Sequence, residues 1–245
     1  PAQISEYLIP KPAVRLITFT GSIPVGTPLA SLAGRHMKPA IMELGGHAPV
    51  IVCDDADAEK AAATSANGKS RNAGQICVSP TRFFVEEKIY KRFATAMGEA
   101  AAKVKVGDGL DPETQMGPLA NDRRVPFIEG LVADAKSKGA RVVAGGNRIG
   151  NRGYFHKLTV LADVPDDARA MREEPFGPLA LLSPVKNVEE AIEKANSVPY
   201  GLAAYAFTQS ARNVDKLAEV VEVGNLSINH FAVPFAETPF GGVKD

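Results

Sequence analysis

The sequence predicts an α/β protein: a mainly parallel sheet with flanking helices. Two observations carry this. Short apolar runs of strand length alternate with longer amphipathic stretches of helical period. The composition, 45% hydrophobic and 23% charged over 245 residues, supplies enough apolar side chain to offset the entropy lost on ordering. Strands that alternate with helices of this length favour parallel pairing through helical crossovers.

The elements follow in order. The chain opens on strand-like sequence, and Val14 to Thr20 (VRLITFT) reads as a strand. Pro24 to Met37 holds a helix. Pro39 to Leu44 and Ala48 to Cys53 are two strands separated by Gly45-Gly46. The acidic run Asp54-Asp55-Ala56-Asp57 opens an alanine-rich helix towards Arg71. Arg82 to Val85 is β-branched and aromatic, hence a strand. In the next helix, Glu87 to Val104, the residues Ile89, Phe93, Met97 and Ala101 recur every four positions and form one apolar face. Asp122 to Lys138, Val188 to Asn196 and Arg212 to Val221 are further helices. Leu158 to Leu161, Leu179 to Val185 and Leu226 to Asn229 are further strands.

Composition excludes several function classes. The 28 basic and 28 acidic side chains cancel, which argues against a nucleic-acid partner. No apolar run approaches the ~18 residues of a membrane span. The first residues do not have the pattern of a signal peptide. Two cysteines cannot form a disulfide scaffold and suit a reducing compartment, the cytoplasm. The four histidines have no metal-ligand spacing and CxxC is absent, so no metal site is expected. The acidic run lacks the glycine and distal glutamate of a calcium loop. GxSxG, the P-loop and GxGxxG are also absent. The length allows one large domain or two small ones, with Gly45-Gly46 as the boundary. The missing methionine before Pro1 suggests a piece of a longer protein.

Two residues are candidates for chemistry. Cys77 lies in a loop, Arg71-Asn-Ala-Gly-Gln-Ile-Cys77-Val-Ser-Pro80, punctuated by glycine and proline. It is either a structural loop thiol or a nucleophile. The second role needs surroundings that favour the thiolate, because an ordinary thiol near pKa ~8.5 is only slightly ionised at neutral pH. Cys53 closes the apolar run Pro49-Val-Ile-Val52 and reads as a buried core thiol. Glu43, in Met42-Glu-Leu-Gly-Gly46, ends an apolar strand. It is either a surface carboxylate or a general base, since burying it is costly without a task or a partner.

Five motifs occur in one order. They are Thr18-Phe-Thr-Gly-Ser22 with Gly26, Met42-Glu-Leu-Gly-Gly46, Asn72-Ala-Gly-Gln-Ile-Cys77, Glu173-Glu-Pro-Phe-Gly-Pro178 and Pro239-Phe-Gly-Gly242. Together, and in their separations, they resemble the NAD(P)-dependent aldehyde dehydrogenase family, succinate semialdehyde dehydrogenases in particular, over essentially the whole chain. The resemblance implies that Cys77 is the nucleophile, forming a thiohemiacetal and then a thioester. Glu43 would be the base that activates it or the deacylating water. Gly21 and Ser22 match the turn that meets the cofactor pyrophosphate, where helix N-terminal N–H groups favour anions. Glu174 matches the carboxylate on the nicotinamide ribose, with Phe176 nearby, and Leu44 matches a backbone contact to the carboxamide. Phe240 matches an aromatic of the substrate tunnel.

The same resemblance implies an organisation. Residues 1–45 would be the end of a Rossmann-like dinucleotide-binding domain and 46–245 the catalytic domain, with Glu43 and Cys77 facing across the cleft. Most of the cofactor domain, with its oxyanion-hole asparagine, would precede Pro1, and the strand that joins subunits would follow Asp245. The full-length protein would be a homo-oligomer using NAD or NADP, and the 245-residue piece alone would be inactive. Arg71, six residues before Cys77, matches the arginine that grips the distal carboxylate of a semialdehyde. The loop His230-Phe-Ala-Val-Pro-Phe-Ala-Glu237 has no serine for a second carboxylate contact, and Phe231 and Phe235 suit an apolar pocket. The expected substrate is therefore a semialdehyde, with a neutral aliphatic or aromatic aldehyde as the alternative. A cysteine thioesterase and a non-catalytic family member are the rival classes.

Overall fold

The computed structural model describes residues 2–245. These form two compact units that divide between Gly45 and Gly46.

The first unit is a helix followed by a β–α–β element: α1 (Ala2–Leu8), β1 (Ile17–Thr20), α2 (Ile23–Arg35) and β2 (Ala40–Glu43). The strands pair in parallel, with Ile17 opposite Ala40 and Thr20 opposite Glu43. Lys38 Nζ donates to the carbonyls of Lys11 and Val14 and closes the base of this unit. The opening corrects the sequence expectation, because Ala2–Leu8 is helix and not strand. Ile4, Tyr7 and Leu8 recur at three- and four-residue intervals, which is helical spacing rather than alternation.

The second unit holds a seven-stranded sheet flanked by helices. Its elements are β3 (Pro49–Val52), α3 (Ala58–Ser70), β4 (Arg82–Glu86), α4 (Glu87–Ala102), α5 (Arg124–Ser137), β5 (Arg141–Ala144), β6 (Thr159–Ala162), β7 (Leu179–Val185), α6 (Val188–Asn196), β8 (Ala203–Phe207), α7 (Ala211–Val220) and β9 (Asn225–Ile228). The strand order is β5-β6-β7-β4-β3-β8-β9. Every neighbouring pair is parallel except β5 with β6. This is the predicted α/β class. The inner strands β3, β6 and β8 are buried at every position, as expected of a parallel sheet covered on both faces.

Helix ends follow the local chemistry. Asp57 caps α3, accepting from the Lys60 N–H at 3.0 Å. Asp55 instead accepts from the Thr208 hydroxyl and the Gln209 N–H, tying this corner to the end of β8. On α4 the predicted face of Ile89, Phe93, Met97 and Ala101 is buried. The sequence reading misses β5 and β8. β8 carries three alanines in Ala-Ala-Tyr-Ala-Phe, whose strand propensity is weak, and only its place between β3 and β9 makes it a strand. β5 is a short edge strand with three of its four residues at least partly exposed.

Arg82 locks the sheet to α6. It is 1% exposed and donates to the carbonyls of His47, Lys194 and Ala195, each at 3.0 Å. Two of these carbonyls lie at the C-terminal end of α6, where a cation is favoured.

Candidate active site

α3 stops at Ser70, and the chain reverses through three successive left-handed residues: Asn72 (φ 49°), Ala73 (φ 53°) and Gly74 (φ 70°). For Ala73 this conformation costs on the order of 1–3 kcal/mol, and such strain persists only where surrounding structure fixes it. The surroundings do so. Asn72 Nδ2 donates to the Gln75 carbonyl at 3.0 Å, and Gln75 Nε2 returns to the Asn72 carbonyl at 3.1 Å. Gln75 also donates to the Pro118 carbonyl and accepts from the Ala120 N–H. A Cβ on Gly74 would lie 2.1 Å from the Gly177 carbonyl oxygen, so no larger residue fits there without moving backbone.

This turn delivers Cys77 in a half-buried position. A Cβ on Gly46 would lie 2.1 Å from the Cys77 carbonyl oxygen, so Gly46 packs directly on the cysteine backbone. The Tyr205 hydroxyl donates to the Val78 carbonyl at 2.6 Å. Burial pushes the ionisation of Tyr205 upward; Cys77 adds to the rise and Arg71 opposes it, so both lie within electrostatic reach of this phenol. Arg71 itself is exposed. Cys53 contrasts with Cys77: it is fully buried in the core, and burial raises its thiol to about 12.

The segment Glu173 to Pro178 packs against the same turn through Gly177. Glu174 Oε1 accepts the Gly46 N–H at 3.0 Å. Burial raises the Glu174 carboxyl above its usual range, opposed by the Gly46 N–H, Lys69 and Arg124. Arg124, from α5, donates to the Pro175 and Phe176 carbonyls and lies over the Phe127 ring. Phe176 is left-handed (φ 40°) and partly exposed. Of the residues expected at the site, the structure thus joins Cys77 and Glu174 through Gly46, which packs on the Cys77 carbonyl and donates to Glu174. Phe240 lies in the exposed C-terminal segment. Phe231 packs on Tyr205, with ring centroids 4.6 Å apart, and against Gly68, so at least one of its faces serves packing.

In the first unit, the Gly21 N–H donates to the Glu43 carbonyl at 3.0 Å. A Cβ on Gly21 would strike the Phe19 ring. Ser22 is the N-cap of α2, yet its side chain makes no capping bond, and the first turn holds a proline and no acidic residue. Leu44 rests its side chain on Gly26, whose own Cβ would lie 2.4 Å from Leu44 Cδ2. Glu43 Oε2 is buried and has no hydrogen-bond partner among the described residues.

The model of the aldehyde dehydrogenase family matches residues 1–245. The chain belongs to the aldehyde dehydrogenase family. Within it, the chain is 50% identical over 245 residues to the 4-(hydroxymethyl)benzenesulfonate dehydrogenase TsaD1 of Comamonas testosteroni, covering 100% of this chain and 51% of that protein. It is 41% identical over 241 residues to the NADP(+) succinate-semialdehyde dehydrogenase GabD of Escherichia coli, covering 98% and 50%. A crystal structure of an E. coli NADP-dependent enzyme superposes with a TM-score of 0.95 at 41% identity, covering 98% of this chain and 50% of that one. The chain spans about half the length of the curated relatives it matches.

Several residues of this aldehyde dehydrogenase chain escape the sequence reading. Gln75, Arg124 and Tyr205 act on backbone far away in sequence; Gln75 stands in one of the five motifs without a role, and no local pattern marks the other two. Lys69 does leave a signal. Ala62, Ser65, Ala66 and Lys69 stand at i, i+3, i+4 and i+7, which puts the lysine on the buried face of its helix.

Proposed function

We propose that the protein carrying this chain oxidises an aldehyde to the carboxylic acid with NAD(P)+, with Cys77 as nucleophile and Glu43 as general base. The strained, over-braced turn that presents Cys77 is the observation that carries this reading, because such strain concentrates at working sites. Family membership supports the reaction class. The activity is assigned to the whole protein, since the chain spans about half of its relatives.

The residues present fit a dinucleotide. The N-terminus of α2 carries no side-chain cap and no acidic residue, which suits a pyrophosphate at its N–H groups beside Gly21 and Ser22. Glu174 would accept from the nicotinamide ribose with Phe176 alongside, and Leu44 would meet the carboxamide through its backbone. Residues up to Gly45 would then close a cofactor domain, and those from Gly46 would form the catalytic domain. A nicotinamide held by these residues would supply the hydride acceptor.

The protein's own residues do the rest. Cys77 Sγ, as thiolate, attacks the aldehyde carbon; the carbonyl electron pair moves to oxygen and a thiohemiacetal forms. Loss of hydride from that carbon leaves a thioester on Sγ. Glu43 takes a proton from the thiol, or from the water that attacks the thioester, and the C–S bond breaks to release the acid. The orphaned Glu43 Oε2 suits such a role.

Arg71 points to an aldehyde with an anion at its far end, a semialdehyde first. An aromatic sulfonate frame is the second reading, favoured by the relatives at 50% identity named for 4-(hydroxymethyl)benzenesulfonate. A carboxylate and a sulfonate both pair with a guanidinium. The assembly would be a homo-oligomer in the cytoplasm. The test is NAD(P)H formation by the full-length protein with succinate semialdehyde. Cys77→Ser abolishes it on this reading, whereas thioester hydrolysis indifferent to NAD(P) would point to a hydrolase.

A further inference from the structure

Lys69 takes no part in the chemistry above, yet it is 0% exposed. A buried ammonium persists only with compensation, because desolvation penalises its charge. Its Nζ makes one hydrogen bond among the described residues, to Ser79 Oγ at 3.1 Å, two positions after Cys77. Its Cε would lie 3.0 Å from a Cβ on Gly74, so the lysine stem runs against the left-handed turn. The charge that offsets its burial is Glu174, and Lys69 and Arg124 are in turn the cations that oppose the desolvation of Glu174. Arg124 donates through Nη2 to the Pro175 and Phe176 carbonyls of the Glu174 segment itself, whereas Lys69 is anchored on the Cys77 loop.

We propose that Lys69 is a positioning residue for the cofactor: anchored on Ser79 beneath the Cys77 loop, with its stem against the Gly74 turn that packs on Gly177, it holds the Glu174 segment where its carboxylate accepts from a ribose hydroxyl. This rests on the reading of Glu174 as the ribose-binding carboxylate. The groups facing the amine fit. Glu174 lies on the segment after the short 3-10 helix Arg169–Met171, Ser79 follows Cys77, and His47, whose ring is lowered first by burial and then by the Arg82 charge with Lys69 adding to them, precedes β3. Burial lowers the amine to about 7, so its charge near neutral pH depends on the charge of Glu174.

The test is a double-mutant cycle on the full-length protein, titrating NAD+ and NADP+ calorimetrically without aldehyde. Lys69→Met and Glu174→Gln should each weaken binding on the order of tenfold, and the double variant should bind no worse than Glu174→Gln alone. Lys69→Met should also move the acid limb of cofactor affinity to higher pH, because an unpaired buried carboxyl keeps its proton longer. A merely structural lesion weakens binding equally at every pH. At saturating cofactor, kcat should stay within about threefold while KM for the cofactor carries the loss. If Lys69→Met does not fold, Ser79→Ala replaces it in the same cycle. It removes the acceptor that favours the charged amine and should weaken binding only while Glu174 is present. Additive losses, or wild-type binding by Lys69→Met, overturn the assignment of Lys69 alone. Wild-type binding by Glu174→Gln overturns the ribose reading and this inference with it.

Discussion

The N–H of Gly46 donates to Glu174 Oε1 at 3.0 Å, and the same glycine leaves no room for a Cβ against the Cys77 carbonyl. One backbone position therefore sets both the proposed nucleophile and the proposed ribose carboxylate. Gly46→Ala can be accommodated only by moving the Cys77 backbone. The full-length protein should lose about 10²-fold in kcat/KM, the scale of a ~1 Å misplacement. Steady-state kinetics decide it; a loss below threefold means the contact does not position Cys77.

Arg71 is exposed, and Tyr205 feels its charge together with that of Cys77. Arg71→Ala should raise KM for succinate semialdehyde roughly 10- to 100-fold, the worth of a charge-assisted contact. KM for a neutral aldehyde such as hexanal should hardly move. An unchanged KM for the semialdehyde removes Arg71 from substrate recognition.

Arg82 satisfies three buried carbonyls with one guanidinium. Burial lowers it only to about 9, so it stays charged at neutral pH. Arg82→Met removes the donor to the His47 and Ala195 carbonyls at roughly 1–3 kcal/mol each, while the Lys194 carbonyl keeps its bond from Ser197. Urea unfolding should show a destabilisation of at least about 2 kcal/mol. A change under 1 kcal/mol would mean that the carbonyls find other partners.

His47 is buried between the Thr81 hydroxyl and the Ala170 carbonyl, and burial holds its ring well below the usual value. The sign follows from proton uptake. Below its unfolded pKa of ~6.5 the unfolded chain binds a proton that the folded ring refuses, so stability falls as pH drops. The slope from this group approaches ~1.4 kcal/mol per pH unit until the folded pKa is reached. His156, also lowered by burial, acts in the same direction. Urea midpoints from pH 7 to 5 should fall, and less steeply in His47→Gln. An equal slope in the variant would clear His47 of the effect.

Much of this was legible in the sequence. The alternation of apolar runs and amphipathic stretches identifies the class, and β7 and α6 stand where the pattern puts them because apolar periodicity is a local signal. β8 was not legible, since an alanine-rich segment becomes a strand only through its neighbours. The opening helix was misread because a short apolar segment is ambiguous until its spacing is counted. At the site, the five ordered motifs point to Cys77, Glu43 and Glu174. They say nothing of Gln75, Arg124 or Gly74 against Gly177, because those contacts join segments far apart in the chain. Lys69 was visible as a lysine on a buried helical face, but its partner Glu174 lies more than a hundred residues on.

The account stands most directly on Cys77 as the atom that carries the acyl group. Full-length protein mixed with NAD(P)+ and succinate semialdehyde, quenched in acid within a turnover and digested, should yield the Cys77 peptide heavier by one succinyl group. The Cys53 peptide should be unmodified, and the adduct should be absent without NAD(P)+. Turnover with no adduct on Cys77, together with full activity in Cys77→Ser, would contradict the account.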